Sequence, residues 1–146
     1  MAAECIFCQI VAGEAEASFA YEDDATMAFV DLRQFHAGHT LVVPRRHIRD
    51  IYGLDEKTGS ALMAAISRVA EAVREAFQPD GINVWQSNGE PWQEVFHLHF
   101  HCCPVGEGMD SCASLRHRAT SLRAMNWTIR PQKSAPRLPV NRRRSG

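Results

Sequence analysis

Val95-Phe96-His97-Leu98-His99-Phe100-His101-Cys102-Cys103-Pro104 decides the reading of this chain. Three histidines alternate with large apolar residues, and a period of two is the signature of a β-strand with one buried face. The alternation predicts Leu98, Phe100 and Cys102 pointing into a core, with His97, His99 and His101 in a row on the opposite face. Packing alone does not call for three imidazoles in register. Such a row titrates near neutral pH, binds metals and phosphates, and attacks electrophiles. The competing readings are a metal site built from the alternating histidines and three incidental surface side chains.

Working outward, the rest of the chain reads as α+β. Ala20-Tyr21-Glu22 and Met27-Ala28-Phe29-Val30-Asp31 flank Asp23-Asp24, a hairpin turn. Gly38-His39-Thr40-Leu41-Val42-Val43-Pro44 is a third strand, ended by its proline. Asp55 is an N-cap for a long helix reaching to about Phe77. Leu62, Ile66, Val69, Val73 and Phe77 follow helical spacing and form its core-facing stripe. Gln78-Pro79-Asp80-Gly81 stops that helix, Ile82-Asn83-Val84-Trp85-Gln86 is the fourth strand, and the histidine segment is the fifth. Hairpin-like connections with a single long helix predict an antiparallel sheet with helix on one face.

The chain has 146 residues, 45% hydrophobic and 23% charged, as expected of one globular domain. No run approaches the ~18 apolar residues of a membrane span. Met1-Ala2-Ala3-Glu4-Cys5 lacks an apolar signal region, so a cytoplasmic location is expected. In that setting the five cysteines suggest reduced thiols or metal ligands rather than a disulfide framework. The net charge of −1 hides an asymmetry: residues 1–110 hold 7 Lys/Arg against 17 Asp/Glu (net −10), whereas 111–146 hold 9 against none (net +9). The organisation expected is a domain over 1–110, an extension over 111–129, and a basic, disordered tail over 130–146. The tail is a solvated segment or a contact for nucleic acid or another polyanion.

Three further motifs carry chemistry. Asn88-Gly89-Glu90-Pro91-Trp92-Gln93 places backbone N–H groups beside the amides of Asn88 and Gln93 and the hydroxyl of Ser87. Such a loop cradles a phosphate without a Walker lysine, although Asn-Gly is first of all a turn. Cys5-Ile6-Phe7-Cys8 lacks the second cysteine pair of a zinc ribbon, so two more ligands would have to come from histidines such as His47 and His97. Inert buried thiols compete with that reading, and so does a redox pair, for which the βαβ setting is missing. Asp31, at the end of a strand, either accepts hydrogen bonds from ribose hydroxyls or caps a turn.

Together these residues resemble the histidine-triad (HIT) family, through His97-Leu98-His99-Phe100-His101-Cys102-Cys103 (His-φ-His-φ-His-φ-φ, with φ apolar). Ala28-Phe29-Val30-Asp31 and Gly38-His39-Thr40-Leu41-Val42-Val43-Pro44-Arg45-Arg46-His47 support the match, and Cys5-Ile6-Phe7-Cys8 places it near the Hint-like bacterial branch. The resemblance implies a five-stranded antiparallel sheet with one long and one short helix, pairing into a dimer-wide sheet. It implies hydrolysis or transfer at the α-phosphate of purine nucleotides, with AMP or an adenylylated small molecule as ligand. His99 would be the nucleophile, His97 would orient it through its carbonyl, and His101 would assist the leaving group. Asp31 would hold the ribose, Phe29 and Leu32 would line the base pocket, and Gln93 would face the phosphates. Ser87 or Asn88 would meet the nucleotide. Zn2+ would be structural, bound by Cys5, Cys8, His47 and His97. The sequence departs from the pattern at Glu94, where some members have a serine near the phosphate, and in the short loop before Gln93. A binding module with little catalysis, and a nucleic-acid-associated protein tethered by its basic tail, are the other two functional classes.

Overall fold

Two short hydrophobic runs, Thr26–Val30 (β2) and Thr40–Pro44 (β3), are buried along nearly their whole length and form the middle of the sheet. The computed structural model describes residues 5–107. A short helix, Ile6–Ala12 (α1), precedes Phe19–Glu22 (β1), and Asp23 closes the hairpin between β1 and β2 as expected. A 3-10 turn (Ile51–Gly53) leads to the long helix Glu56–Phe77 (α2), then Gly81–Gln86 (β4) and Phe100–Val105 (β5). The five strands run in the order β1-β2-β3-β5-β4, every neighbouring pair antiparallel.

Side chains facing each other across a ladder share a face, and the register therefore sorts the core into two layers. Ala28, Val42, Leu98 and Cys102 pack against Leu62, Ala65, Ile66, Val69 and Val73 of α2. Met27, Phe29, Leu41 and Val43 pack on the other side, under Phe7 and Ile10 of α1. His101 pairs with Leu41 and Trp85, so its imidazole lies on the α1 face.

Asp55 caps α2, accepting from the Thr58 backbone at 3.0 Å and the Thr58 hydroxyl at 2.8 Å. Gln78 ends the helix in the left-handed region, φ 47°.

Four expectations need correction, the first being that the cysteines are reduced thiols or metal ligands: Cys103 is disulfide-bonded. The fifth strand begins at Phe100, not Val95. The backbone before it is spent on other bonds: His97 N donates to Val95 O at 2.8 Å, and Leu98 N donates to Ile48 O. The histidines do lie opposite Leu98 and Cys102, but they are no open row. His97, His99 and His101 are 0%, 4% and 2% exposed, because α1 and the loops cover that face too. Phe77 is 50% exposed rather than core; its ring lies over Gly38, whose φ of +93° suits glycine.

The extension over 111–129 and the tail over 130–146 lie outside the described residues. Among the described residues no helix is long and apolar enough to cross a membrane.

Candidate active site and metal centre

His97 faces two ways. Its ring Nε2 lies 2.8 Å from the Pro44 carbonyl, and a carbonyl only accepts, so Nε2 carries the proton and Nδ1 the lone pair. That Nδ1 is 3.5 Å from Cys5 Sγ and 3.5 Å from Cys8 Sγ. Cys8 Sγ is also 3.2 Å from His47 Nδ1. The four donor atoms of Cys5, Cys8, His47 and His97 all lie within 4.8 Å of one another and can hold a metal ion. Tetrahedral zinc with Zn–S near 2.3 Å and Zn–N near 2.1 Å separates sulfur from nitrogen by about 3.6 Å. The observed contacts sit at that spacing, and the Pro44 carbonyl supplies the outer bond that fixes a ligating imidazole. Burial, helped by the neighbouring His47 and His99, lowers the His97 pKa to about 4, so its ring is neutral at pH 7. Burial and the adjacent Cys5 thiol raise Cys8 to about 11; a bound cation reverses that trend.

The backbone of His97 meets the second histidine. His99 Nδ1 is 2.7 Å from the His97 carbonyl oxygen, which puts its proton on Nδ1 and its lone pair on Nε2. Phe7 closes over both rings edge-on, with centroids 6.0 Å from His97 and 5.3 Å from His99, and it packs on Phe29 at 5.3 Å. Ring direction at His99 is thus set by one strong hydrogen bond and one aromatic wall.

His101 is held by a residue to which the sequence reading gave no role. His39 Nε2 lies 2.9 Å from His101 Nδ1, both buried. Asp31 Oδ2 stands 3.7 Å from His39 Nδ1, beyond hydrogen-bond reach but close enough to act through its charge. Phe35 stacks on His39 at 5.3 Å, and Trp85 stacks flat on His101 at 4.4 Å with 1° between the planes. Trp85 Nε1 is buried with no acceptor among the described residues. His39 stood in plain view in Gly38-His39-Thr40, and its alternation with Leu41 put it on the α1 face. The missing signal was the register that sets β3 beside β5.

The other candidates spread around this centre. Asp31, just past β2, also accepts from Arg33 N at 2.9 Å. Phe29 is buried beneath Phe7, whereas Leu32 is 86% exposed. Gln93 is buried and holds its own loop: its amide donates to Arg49 O at 2.6 Å and Val95 O at 3.1 Å, and its carbonyl accepts from Gly89 N at 3.1 Å. Asn88 exchanges amide bonds with Gln86 and accepts from Ile51 N at 2.8 Å. The Ser87 carbonyl accepts from Gln86 Nε2 at 2.7 Å. Glu94 pairs with Arg33. Arg49 lies over the Phe96 ring at 4.5 Å.

The HIT-domain family model matches residues 12–107, an interval that contains all three triad histidines. The chain belongs to the HIT family. It is 40% identical over 109 residues to the protein hit of Bacillus subtilis, covering 73% of this chain and 75% of that one. An uncharacterised HIT-like protein of Mycobacterium tuberculosis is 38% identical over 105 residues, covering 71% and 73%. A crystal structure of a HIT-family member from B. subtilis superposes with TM-score 0.71 at 33% identity, covering 81% and 94%. A zinc-bound histidine-triad protein from Mycobacterium smegmatis superposes with TM-score 0.71 at 31% identity, covering 84% and 100%. A hypothetical histidine-triad nucleotide-binding protein from Sulfolobus tokodaii matches with TM-score 0.69 at 35% identity, covering 71% and 70%. The antiparallel five-stranded sheet and its two helices are therefore those of HIT-family structures.

Proposed function

We propose that this HIT protein is a nucleotide hydrolase or transferase that cleaves at the α-phosphate of purine nucleotides through a nucleotidyl-His99 intermediate. The observation that carries the reading is the 2.7 Å bond from His99 Nδ1 to the His97 carbonyl, which aims a basic Nε2 from a rigid strand entrance. In the first step Nε2 bonds to the α-phosphorus and the bond to the leaving oxygen or nitrogen breaks. His101, whose Nδ1 meets His39, delivers a proton to that leaving group from Nε2. Water then attacks phosphorus, the P–N bond to His99 breaks, and its proton passes back through the imidazoles. Splitting one displacement into two lowers each barrier.

Asp31 would hold the ribose hydroxyls and Leu32 would cover the base, with Phe29 beneath. The loop from Ser87 through Asn88 to Gln93 would present its amides to the phosphates, and Glu94 with Arg33 would border them. The metal, when bound, would be zinc held by Cys5, Cys8, His47 and His97. With four protein ligands it fixes α1 to the sheet and leaves no position for a catalytic water. AMP or an adenylylated small molecule is the proposed ligand, and pairing of two copies in the cytoplasm the proposed assembly.

Intact mass spectrometry after brief incubation with adenosine 5′-phosphoramidate and with diadenosine polyphosphates tests this. Turnover or an adenylyl adduct is expected, both lost in His99→Asn while AMP binding persists. AMP binding with neither product nor adduct would demote the enzyme to a binding module.

A further inference from the structure

Cys5 and Cys8 take part in no step of the proposed reaction, yet they stand one residue away from it. Cys5 is the N-cap of α1 and Cys8 lies in its first turn, so one helical turn separates them. Both sulfurs lie 3.5 Å from the ring of His97, whose carbonyl holds His99. Between them in sequence is Phe7, whose ring packs on His97 and His99. An open groove of about 540 Å³, lined by Cys5, Ile6, His47, Arg49, Glu94 and Phe96 among others, reaches the cluster from solvent. Cys102, by contrast, is fully buried in the α2 layer.

We infer that Cys5 and Cys8 form an oxidation site through which a hydroperoxide controls this centre. Oxidation closes the pair to a disulfide, expels the metal and loosens the hold on His99. One thiolate attacks the peroxide, the O–O bond breaks, and the departing hydroxide or alkoxide takes a proton, leaving a sulfenic acid. The second thiolate attacks that sulfur, the S–S bond forms, and the expelled hydroxide takes another proton. Two electrons pass from the two sulfurs to the peroxide. The metal keeps only His47 and His97, and two imidazoles hold a divalent ion far more weakly than a dithiolate with two imidazoles. Closing the disulfide draws residues 5–8 together, and Phe7 moves with them. The clamp on His99 then loses its aromatic wall, and His97 loses the ion fixing Nδ1.

The consequence for turnover rests on the function proposed above; the chemistry at sulfur does not. The full chain, reduced and loaded with Zn2+, is treated with hydrogen peroxide in the presence of a chromogenic chelator. The expected result is one zinc released per chain, in step with a loss of about 2 Da in the peptide that carries a Cys5–Cys8 disulfide, read apart from the disulfide that Cys103 makes. Reductant with added zinc reverses both. Cys8→His keeps four donors but cannot form the disulfide, and it is expected to retain zinc under the same peroxide. If that variant does not fold, the disulfide map of the unmodified chain decides alone. A reduced chain that takes up no zinc overturns the inference. So does zinc retained under peroxide, or release with oxidation confined to other cysteines. Phosphoramidate turnover is expected to fall on the order of tenfold to a hundredfold on release and to recover with the metal. Release and disulfide formation with unchanged turnover would overturn the link to His99. A chain without turnover at the outset would refute only the proposed reaction.

Discussion

Chelation is the perturbation whose magnitude follows most directly from the structure. Helix α1 is seven residues long, too short to hold its shape unaided, and its own buried anchors are Phe7 and Ile10. A metal held by the four side chains would add a bond between residues 5–8 and His97, nearly the whole described chain apart. An ion that binds only the folded state contributes RT ln(1 + [M]/Kd), so each decade of free metal above Kd adds about 1.4 kcal/mol. A folded body of this size shifts its midpoint by about 4 °C per kcal/mol. A chelator-buffered series over about three decades of free zinc should therefore raise Tm by roughly 15 °C in even steps. Scanning calorimetry at fixed protein concentration reads this directly. The Cys5→Ser/Cys8→Ser double variant should give a flat line at the low-zinc value. A flat line for the unmodified chain, or an equal slope in the variant, would show that the four side chains are neighbours without being ligands.

Other perturbations probe the frame around the site. Gly38→Ala puts a methyl group 2.6 Å from the Phe77 ring at a φ of +93° and should cost about 1–3 kcal/mol in urea melts. Adding Phe77→Ala should restore part of that loss, since it relieves the contact but not the backbone strain. Asp23 accepts from Tyr21, Ala25 and Thr26. Burial opposes its charge, but those bonds outweigh it and hold the carboxyl below its usual 3.8. A depressed carboxylate stabilises above its unfolded pKa and ceases to as pH falls through the native one. Asp23→Asn should thus cost about 1 kcal/mol at pH 7, with the gap to the parent narrowing below about pH 3.8. Removing the buried partner of His101 in His39→Asn should lower kcat about tenfold with little change in nucleotide affinity, measured by steady-state kinetics beside calorimetric binding. An unchanged kcat would reduce His39 to packing.

The elements themselves were legible because each has its own local cause. Continuous apolar runs marked β2 after the Asp23-Asp24 turn and β3 before Pro44, Asp55 marked the start of α2, and Gln78-Pro79-Asp80-Gly81 marked its end. The triad's burial was harder to read. Period two tells which side chains share a face, but not that seven residues of α1, carrying Phe7, cover the polar one. The partners of His101 were hidden for a related reason. His39 and Trp85 are 62 and 16 residues away from it in sequence, and only strand order makes them neighbours. The start of β5 was misread because Gln93 and the carbonyls of Ile48 and Arg49 hold the backbone ahead of it through contacts no local pattern records.

The sequence separation of 92 between Cys5 and His97 sets the order in which these side chains come together. A ribosome adding about 5–20 residues per second makes the thiols some 5–18 s before it makes the imidazole that would complete a metal's shell with them. Throughout that interval the pair has no His97 to share an ion with. A metal centre there closes only once the segment leading into β5 has docked, and a nascent chain stalled short of His97 carries two uncommitted sulfurs.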